Sequence, residues 1–144
     1  MRVLVQSCDR ASVSVDNKIV GKVDKGMMIL VGFTDTDTSA NIDYMVDKVL
    51  NLRIYDDESG VMNKSILDIG GSILSVSQFT LYADTRKGRR PSYINALNGE
   101  KATILYDEFN EKLKQHIHVE TGIFGADMKV ELVNDGPVTV MLEK

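Results

Sequence analysis

The sequence predicts an α+β fold, a mainly antiparallel sheet or barrel-like β core with two covering helices, and three observations carry that expectation. Short runs rich in β-branched residues with alternating faces fill the stretch from Met1 to Phe33 and return near the C-terminus. Two stretches with apolar residues at helical spacing interrupt them, at Ala40–Leu52 and Glu100–Gln115. Connections are short, and no repeat, linker or low-complexity tract divides the 144 residues, so a single domain is expected over 1–144. A chain of that size hides roughly two-thirds of its unfolded surface, which suffices for a core without staples.

Taken in order, Met1–Cys8 and Ala11–Val15 read as strands joined by the polar Asp9-Arg10, and Ile19–Val23 continues the alternation. Gly26 opens Met27-Met28-Ile29-Leu30-Val31-Gly32-Phe33, a continuous apolar run of the kind a strand buried on both faces requires. Thr34 to Ser39 is a polar connector able to cap the first helix, in which Ile42, Met45, Val46, Val49, Leu50 and Leu52 fall mostly on one face. Ile54-Tyr55 resumes strand character before the turn Asp56–Gly60. After Gly70-Gly71, the strand Ser72–Ser77 runs directly into Gln78-Phe79-Thr80-Leu81, and Asp84–Ser92 is loop. The second helix shows Ile104, Leu105, Phe109 and Leu113 at helical spacing. Met128–Val133 and Val138–Leu142 then alternate as strands on either side of Gly136-Pro137. Proline cannot donate to a ladder, so composition favours a hairpin turn at Asn134–Pro137; the other reading is an unusual main-chain element there, such as a cis peptide bond.

Charge and composition exclude several classes. The net charge of −4 argues against a protein that coats nucleic acid through a uniform positive field. Four cations nevertheless fall within five positions, Arg86, Lys87, Arg89 and Arg90; they form either a solvated loop or a small phosphate-contacting patch. The longest purely apolar run, Met27 to Val31, cannot cross a bilayer. The start of the chain lacks the apolar core of a signal peptide, and Cys8 is the single cysteine. A cytoplasmic protein without a membrane partner is expected.

Metal ligands are scarce. His116, His118 and Cys8 are the only soft or imidazole donors, and residues two apart do not share a helical face. Gly21 and Gly26 have the spacing of a phosphate-binding loop, but Met27-Met28 replaces its Lys-Ser/Thr. Only two histidines exist to activate a serine, and no acid sits at an apolar strand end where burial would raise its pKa. Hydroxyl, amide and main-chain groups remain. The best candidate is Ser77-Gln78-Phe79-Thr80, where the apolar strand meets polar loop. It is either a plain strand end or a site in which the amides of Phe79 and Thr80 face a developing oxyanion while Gln78 or Thr80 orients a hydroxyl or water.

Ser77-Gln78-Phe79-Thr80 followed by Leu81-Tyr82-Ala83-Asp84, together with Arg90-Pro91-Ser92, Thr121-Gly122-Ile123-Phe124-Gly125-Ala126-Asp127-Met128, Asn134-Asp135-Gly136-Pro137-Val138-Thr139 and Arg10-Ala11-Ser12-Val13, resembles the D-aminoacyl-tRNA deacylases. The likeness runs over essentially the full chain. It implies a homodimeric esterase, with no metal or cofactor, that removes D-amino acids and glycine from the 3′ end of tRNA, with no DNA partner. It places Ser77 to Thr80 along the pocket and assigns Gly136-Pro137, as a Gly-cisPro element, to the partner subunit's pocket as a chirality filter built from main-chain carbonyls. It also implies help from the terminal adenosine's 2′-hydroxyl in place of a protein nucleophile. The sequence departs from the family at one point: an arginine that commonly follows the N-terminal Gln and is associated with holding the Gly-Pro element is Ser7 here. Two readings of other classes stand beside this one. One is a non-catalytic RNA-end or anion-binding module built on Arg86 to Arg90, and the other is a small-molecule esterase using Ser77 or Thr80.

Overall fold

The computed structural model describes residues 1–144 throughout. Strands β1 (Arg2–Val15), β2 (Lys18–Val23) and β3 (Gly26–Gly32) precede helix α1 (Ser39–Leu50). A short hairpin of β4 (Tyr55–Asp56) and β5 (Met62–Lys64) leads to β6 (Ser72–Ser77) and a 3₁₀ turn at Phe79–Tyr82. Helix α2 (Gly99–Lys114), β7 (Val119–Thr121) and β8 (Lys129–Glu143) complete the chain. No helix is long and apolar enough to cross a membrane.

The main sheet has six strands in the order β2-β1-β3-β6-β7, with β8 also paired to β1. Pairs involving β1 are antiparallel, whereas β3–β6 and β6–β7 are parallel. The expected two helices and barrel-like core are therefore present, in a mixed sheet. The sheet curls until β2 meets β7, so close that a Cβ on Gly21 would lie 2.7 Å from the Thr121 carbonyl oxygen. Only a residue without a side chain fits that seam.

Both helices lie on one face. Ile42, Met45, Val49, Phe109 and Leu113 pack with Val3, Val5, Ile29 and Val31 in the larger core. A smaller cluster of Cys8, Val13, Met28, Leu74 and Val76 fills the inside of the curl. Met27, Met28, Ile29 and Val31 are all buried, so β3 is covered on both faces as its unbroken apolar run requires. The Asn98 side chain caps α2 by accepting from the Glu100 amide at 2.9 Å, and the Asn41 side chain accepts the Thr38 amide at 3.0 Å at the start of α1.

Several expectations change. Asp9-Arg10 does not divide the N-terminal strand; β1 runs through it, and the polar pair leaves only a register irregularity against β8 between Cys8 and Arg10. β6 ends at Ser77 as expected, and the segment after it is not plain loop: the chain turns into 3₁₀ geometry with the Leu81 amide on the Gln78 carbonyl at 3.2 Å. Val119–Thr121, too short to show alternation, is a strand parallel to β6.

The hairpin at Asn134–Pro137 is absent. β8 continues through it as one strand opposite the long β1, and the punctuating residues form a bulge. Between the pairs Gln6↔Thr139 and Cys8↔Asn134, β1 advances two residues and β8 five, so three extra residues loop out. Proline's missing donor costs nothing at a position outside the ladder. The Gly136-Pro137 bond within this bulge is cis, and Gly136 has φ +110°, a conformation that disfavours any side chain.

Candidate active site

β3 and β6 run parallel, so their C-terminal ends, Val31–Phe33 and Val76–Ser77, finish together beside the 3₁₀ turn. Open sheets characteristically place ligands off the carboxyl ends of parallel strands. A cavity of about 290 Å³ opens there, closed on its far side by Phe124, Gly125, Ala126 and Met128 from the segment between β7 and β8. Leu97 and Ala102, at the entry to α2, complete the wall.

Ser77, Gln78 and Phe79 all line this cavity, and Ser77 and Gln78 are its only polar side chains. No acid, lysine, arginine or histidine reaches it. The Gln78 amide is fixed by donating to the Val31 carbonyl at 2.7 Å. The Gln78 side chain donates to the Thr80 hydroxyl, which holds Thr80 against the site although it does not itself form the wall. The first bond of the 3₁₀ turn is made by the Leu81 amide. The amides of Phe79 and Thr80 stand ahead of that bond at the N-terminal end of the turn, where N–H groups are left to point at a ligand. Such a site can orient a water or hydroxyl and stabilise a developing oxyanion, and it offers no strong base.

The other predicted residues lie elsewhere. Gly136 and Pro137 are exposed and face Ser7 on β1, which in turn pairs with Met27 at the opening end of β3, so they do not enter their own chain's cavity. Arg86, Lys87, Arg89 and Arg90 sit on an exposed loop whose ends are joined by the Asp84 and Ser92 main chains at 2.8 and 2.9 Å. Arg86 is engaged already: its Nε and Nη2 donate to the Asp84 carboxylate at 2.9 and 2.6 Å. That guanidinium and the Arg86 amide hold the Asp84 carboxyl far below the usual carboxylate range. His118 pairs with Glu120 at 3.2 Å, and neither histidine reaches the cavity.

The structure also shows what stands at Ser7. Its buried hydroxyl donates to the Asp135 carbonyl at 2.6 Å, immediately before Gly136. From the other side the Asn134 side-chain amide donates to the Ser7 carbonyl at 2.8 Å and to the Val138 carbonyl at 3.0 Å, closing the bulge upon itself. Sequence reasoning missed this clamp, and it also gave no separate role to Phe124–Met128, which supplies four of the fourteen residues of the cavity wall. A glycine-rich, aromatic-bearing stretch between two strands was the available signal.

Comparison with known proteins covers nearly the whole chain. The family model described as D-Tyr-tRNA(Tyr) deacylase matches residues 4–143. The protein named D-aminoacyl-tRNA deacylase from Clostridium kluyveri is 54% identical over 144 residues, covering 99% of this chain and 97% of the relative. Its namesake from Listeria monocytogenes is 56% identical, covering 99% and 95%. Among solved structures, one titled c-Myc DNA Unwinding Element Binding Protein superposes with a TM-score of 0.95 at 40% identity, covering 100% of this chain and 99% of that one. Another, titled as a probable eukaryotic D-amino acid tRNA deacylase, has a TM-score of 0.86 at 21% identity, covers 98% and 97%, and speaks to the fold alone.

Proposed function

The chain belongs to the D-Tyr-tRNA(Tyr) deacylase family, and from that premise we propose that it hydrolyses the ester joining a D-amino acid, or glycine, to the 3′ end of tRNA. Water adds to the ester carbonyl carbon, the bond to the ribose oxygen breaks, and a free amino acid and a tRNA with its hydroxyl restored leave, with one proton released. The observation that carries this reading is the cavity itself, which presents Ser77 and Gln78 and no ionisable group. Catalysis there rests on placement. The amides of Phe79 and Thr80 receive the carbonyl oxygen as it gains charge, Gln78 and Thr80 orient the attacking group, and a substrate hydroxyl supplies the proton relay that no histidine provides.

Chirality is read by main chain lent from a second copy. With the substrate carbonyl held near Phe79 and its α-ammonium held by the peptide oxygens of Gly136 and Pro137, two substituents of the α-carbon are fixed. An L side chain then points into that backbone, while a D side chain or a hydrogen points away. Two features support an arrangement in trans. The bulge is exposed and lies outside its own cavity, and β8 pairs only with β1, which leaves one edge of a 15-residue strand open to a partner. Arg89, Arg90 and Lys87 supply phosphate contacts.

The test is release of D-tyrosine and L-tyrosine from separately charged tRNA. Release of the D form with little of the L form supports the reading. Equal rates remove the filter, and tight, salt-sensitive binding of uncharged tRNA without turnover replaces the enzyme with a binding module.

A further inference from the structure

We propose that a second cavity, on the other side of the 3₁₀ turn, holds the nucleotide that precedes the terminal adenosine, so that the enzyme recognises its substrate through two unpaired RNA nucleotides and not through the terminal adenosine alone. The inference rests on the hydrolase reading above.

The second cavity measures about 460 Å³ and is lined by Arg2, Thr34, Tyr82, Asp84, Arg86 and Asn95 among others. It shares its dividing wall with the first cavity. Phe33 lines the first and Thr34, the next residue, lines the second. Phe79 at the start of the 3₁₀ turn faces the first, and Tyr82 at its end faces the second. The two cavities are therefore neighbours across one wall, and a chain whose terminal residue lies in the first has the second beside it.

The chemistry of the two walls differs in the way such a division of labour needs. The first is apolar and uncharged, whereas the second is polar and charged. Asp84 would repel a phosphate, but the Arg86 fork answers its charge, and Arg86 Nη1 keeps its donors free on a side chain 85% exposed. Arg2, by contrast, is spent within the protein. Its Nη1 donates to the Leu81 carbonyl at 2.8 Å, its Nε to Glu143 at 2.9 Å, and its guanidinium lies 4.6 Å over the Tyr82 ring. It is a wall that fixes the turn, and Arg86 is the anion contact.

An aromatic pair stands at the first cavity, where Phe79 forms part of the wall and Tyr93 packs against it. Phe79 and Tyr93 meet edge to face with centroids 5.1 Å apart, and both are substantially exposed, Phe79 at 56% and Tyr93 at 41%. Tyr93 lies two residues before Asn95, and the Thr34 hydroxyl holds the Asn95 carbonyl at 2.8 Å, so the segment carrying both is fixed. Exposed rings beside unspent cations are the usual means of gripping unpaired nucleotides. On a chain of net charge −4, the basic loop beside this cavity fits a polyanion at one place only.

The experiment compares D-tyrosyl-adenosine with the D-tyrosyl ester of cytidylyl-(3′→5′)-adenosine as substrates for the full-length protein. The proposal expects the added nucleotide to raise kcat/KM about tenfold, the scale of one phosphate contact and one stacked base. Arg86→Ala and Tyr93→Ala should each shrink that ratio to about threefold or less. Because the ratio is taken within one preparation, the fraction of folded enzyme cancels. Equal kcat/KM for the two esters in the wild-type protein overturns the proposal, and so does a gain that both variants retain in full. Failure to hydrolyse either ester while D-tyrosyl-tRNA is still hydrolysed overturns this inference alone, and failure on D-tyrosyl-tRNA as well overturns the hydrolase reading with it.

Discussion

Replacing Asn134 by alanine isolates the clamp on the bulge. The side chain donates two hydrogen bonds, to Ser7 O at 2.8 Å and to Val138 O at 3.0 Å, both in part-buried surroundings. Each is worth about 1 kcal/mol net, so Asn134→Ala should cost about 2 kcal/mol. For a domain of this size that loss lowers Tm by about 6 °C. Thr139→Ala is the matched control: its hydroxyl contacts Asn134 only at 3.5 Å and otherwise accepts from Gln6 on the exposed surface, so the cost should stay under about 0.5 kcal/mol. The assay is a thermal melt of each variant, paired with D- and L-tyrosine release from tRNA. The bulge carries the groups assigned to chiral selection, so N134A should raise L-tyrosine release relative to D by about tenfold while the folded protein persists, a ratio that a loss of folded enzyme does not move. An N134A protein melting within about 1 °C of wild type, with unchanged D/L selectivity, refutes the reasoning that these two bonds shape the bulge.

Other outcomes follow from the same geometry. Thr80→Ala should retain D-substrate activity within about tenfold of wild type, because the hydroxyl positions and does not attack; total loss with an intact circular-dichroism spectrum would make Thr80 the nucleophile. Phe109→Ala should lower the unfolding free energy by about 3–5 kcal/mol in urea titration, since Phe109 is wholly buried between α2 and the sheet. Burial pushes the Cys8 thiol up to about 11 and the Tyr82 hydroxyl up to about 12, and raises Tyr55 and Tyr106 as well. The unfolded chain loses these protons first, so stability is intact below about pH 9 and falls as pH rises toward about 11, which urea midpoints across that range will show. In the same range the Cys8 thiol should label slowly in native protein and rapidly in denaturant.

Much of the fold was legible because it rests on periodicity. The run Met27–Val31 is of the kind a strand covered on both faces requires, and it is one; Ile42, Met45, Val46, Val49 and Leu50 form one buried helix face as expected, while Leu52, read with them, falls past the helix end at Leu50. What was not legible depends on pairing partners. Asp9-Arg10 and Asn134–Pro137 carry the local composition of breaks, yet β1 and β8 are each long enough to pair past them, so one became an irregularity and the other a bulge. Val119–Thr121 is a strand because β6 offers it an edge, and nothing in three residues foretells that. The site divides in the same manner. Ser77 and Gln78 were visible as polar residues at the end of an apolar strand, and with Phe79 they line the cavity, with Thr80 tied to them. The opposite wall, Phe124 to Met128, comes from a segment with no periodicity, brought in by the curl of the sheet. The Arg86–Asp84 pair is local, only two residues apart, whereas the Ser7 grip on the Asp135 carbonyl is a tertiary outcome, a side chain meeting main chain far along the sequence.

The central claim is most directly tested by a crystal structure of the protein with a non-hydrolysable 3′-amide analogue of D-tyrosyl-adenosine. The account predicts the substrate carbonyl oxygen within hydrogen-bond distance of the Phe79 and Thr80 amides, and the α-ammonium on peptide oxygens of Gly136 and Pro137 from a second copy. A ligand bound away from Gln78, or an ammonium held by a side chain of its own subunit, would contradict it.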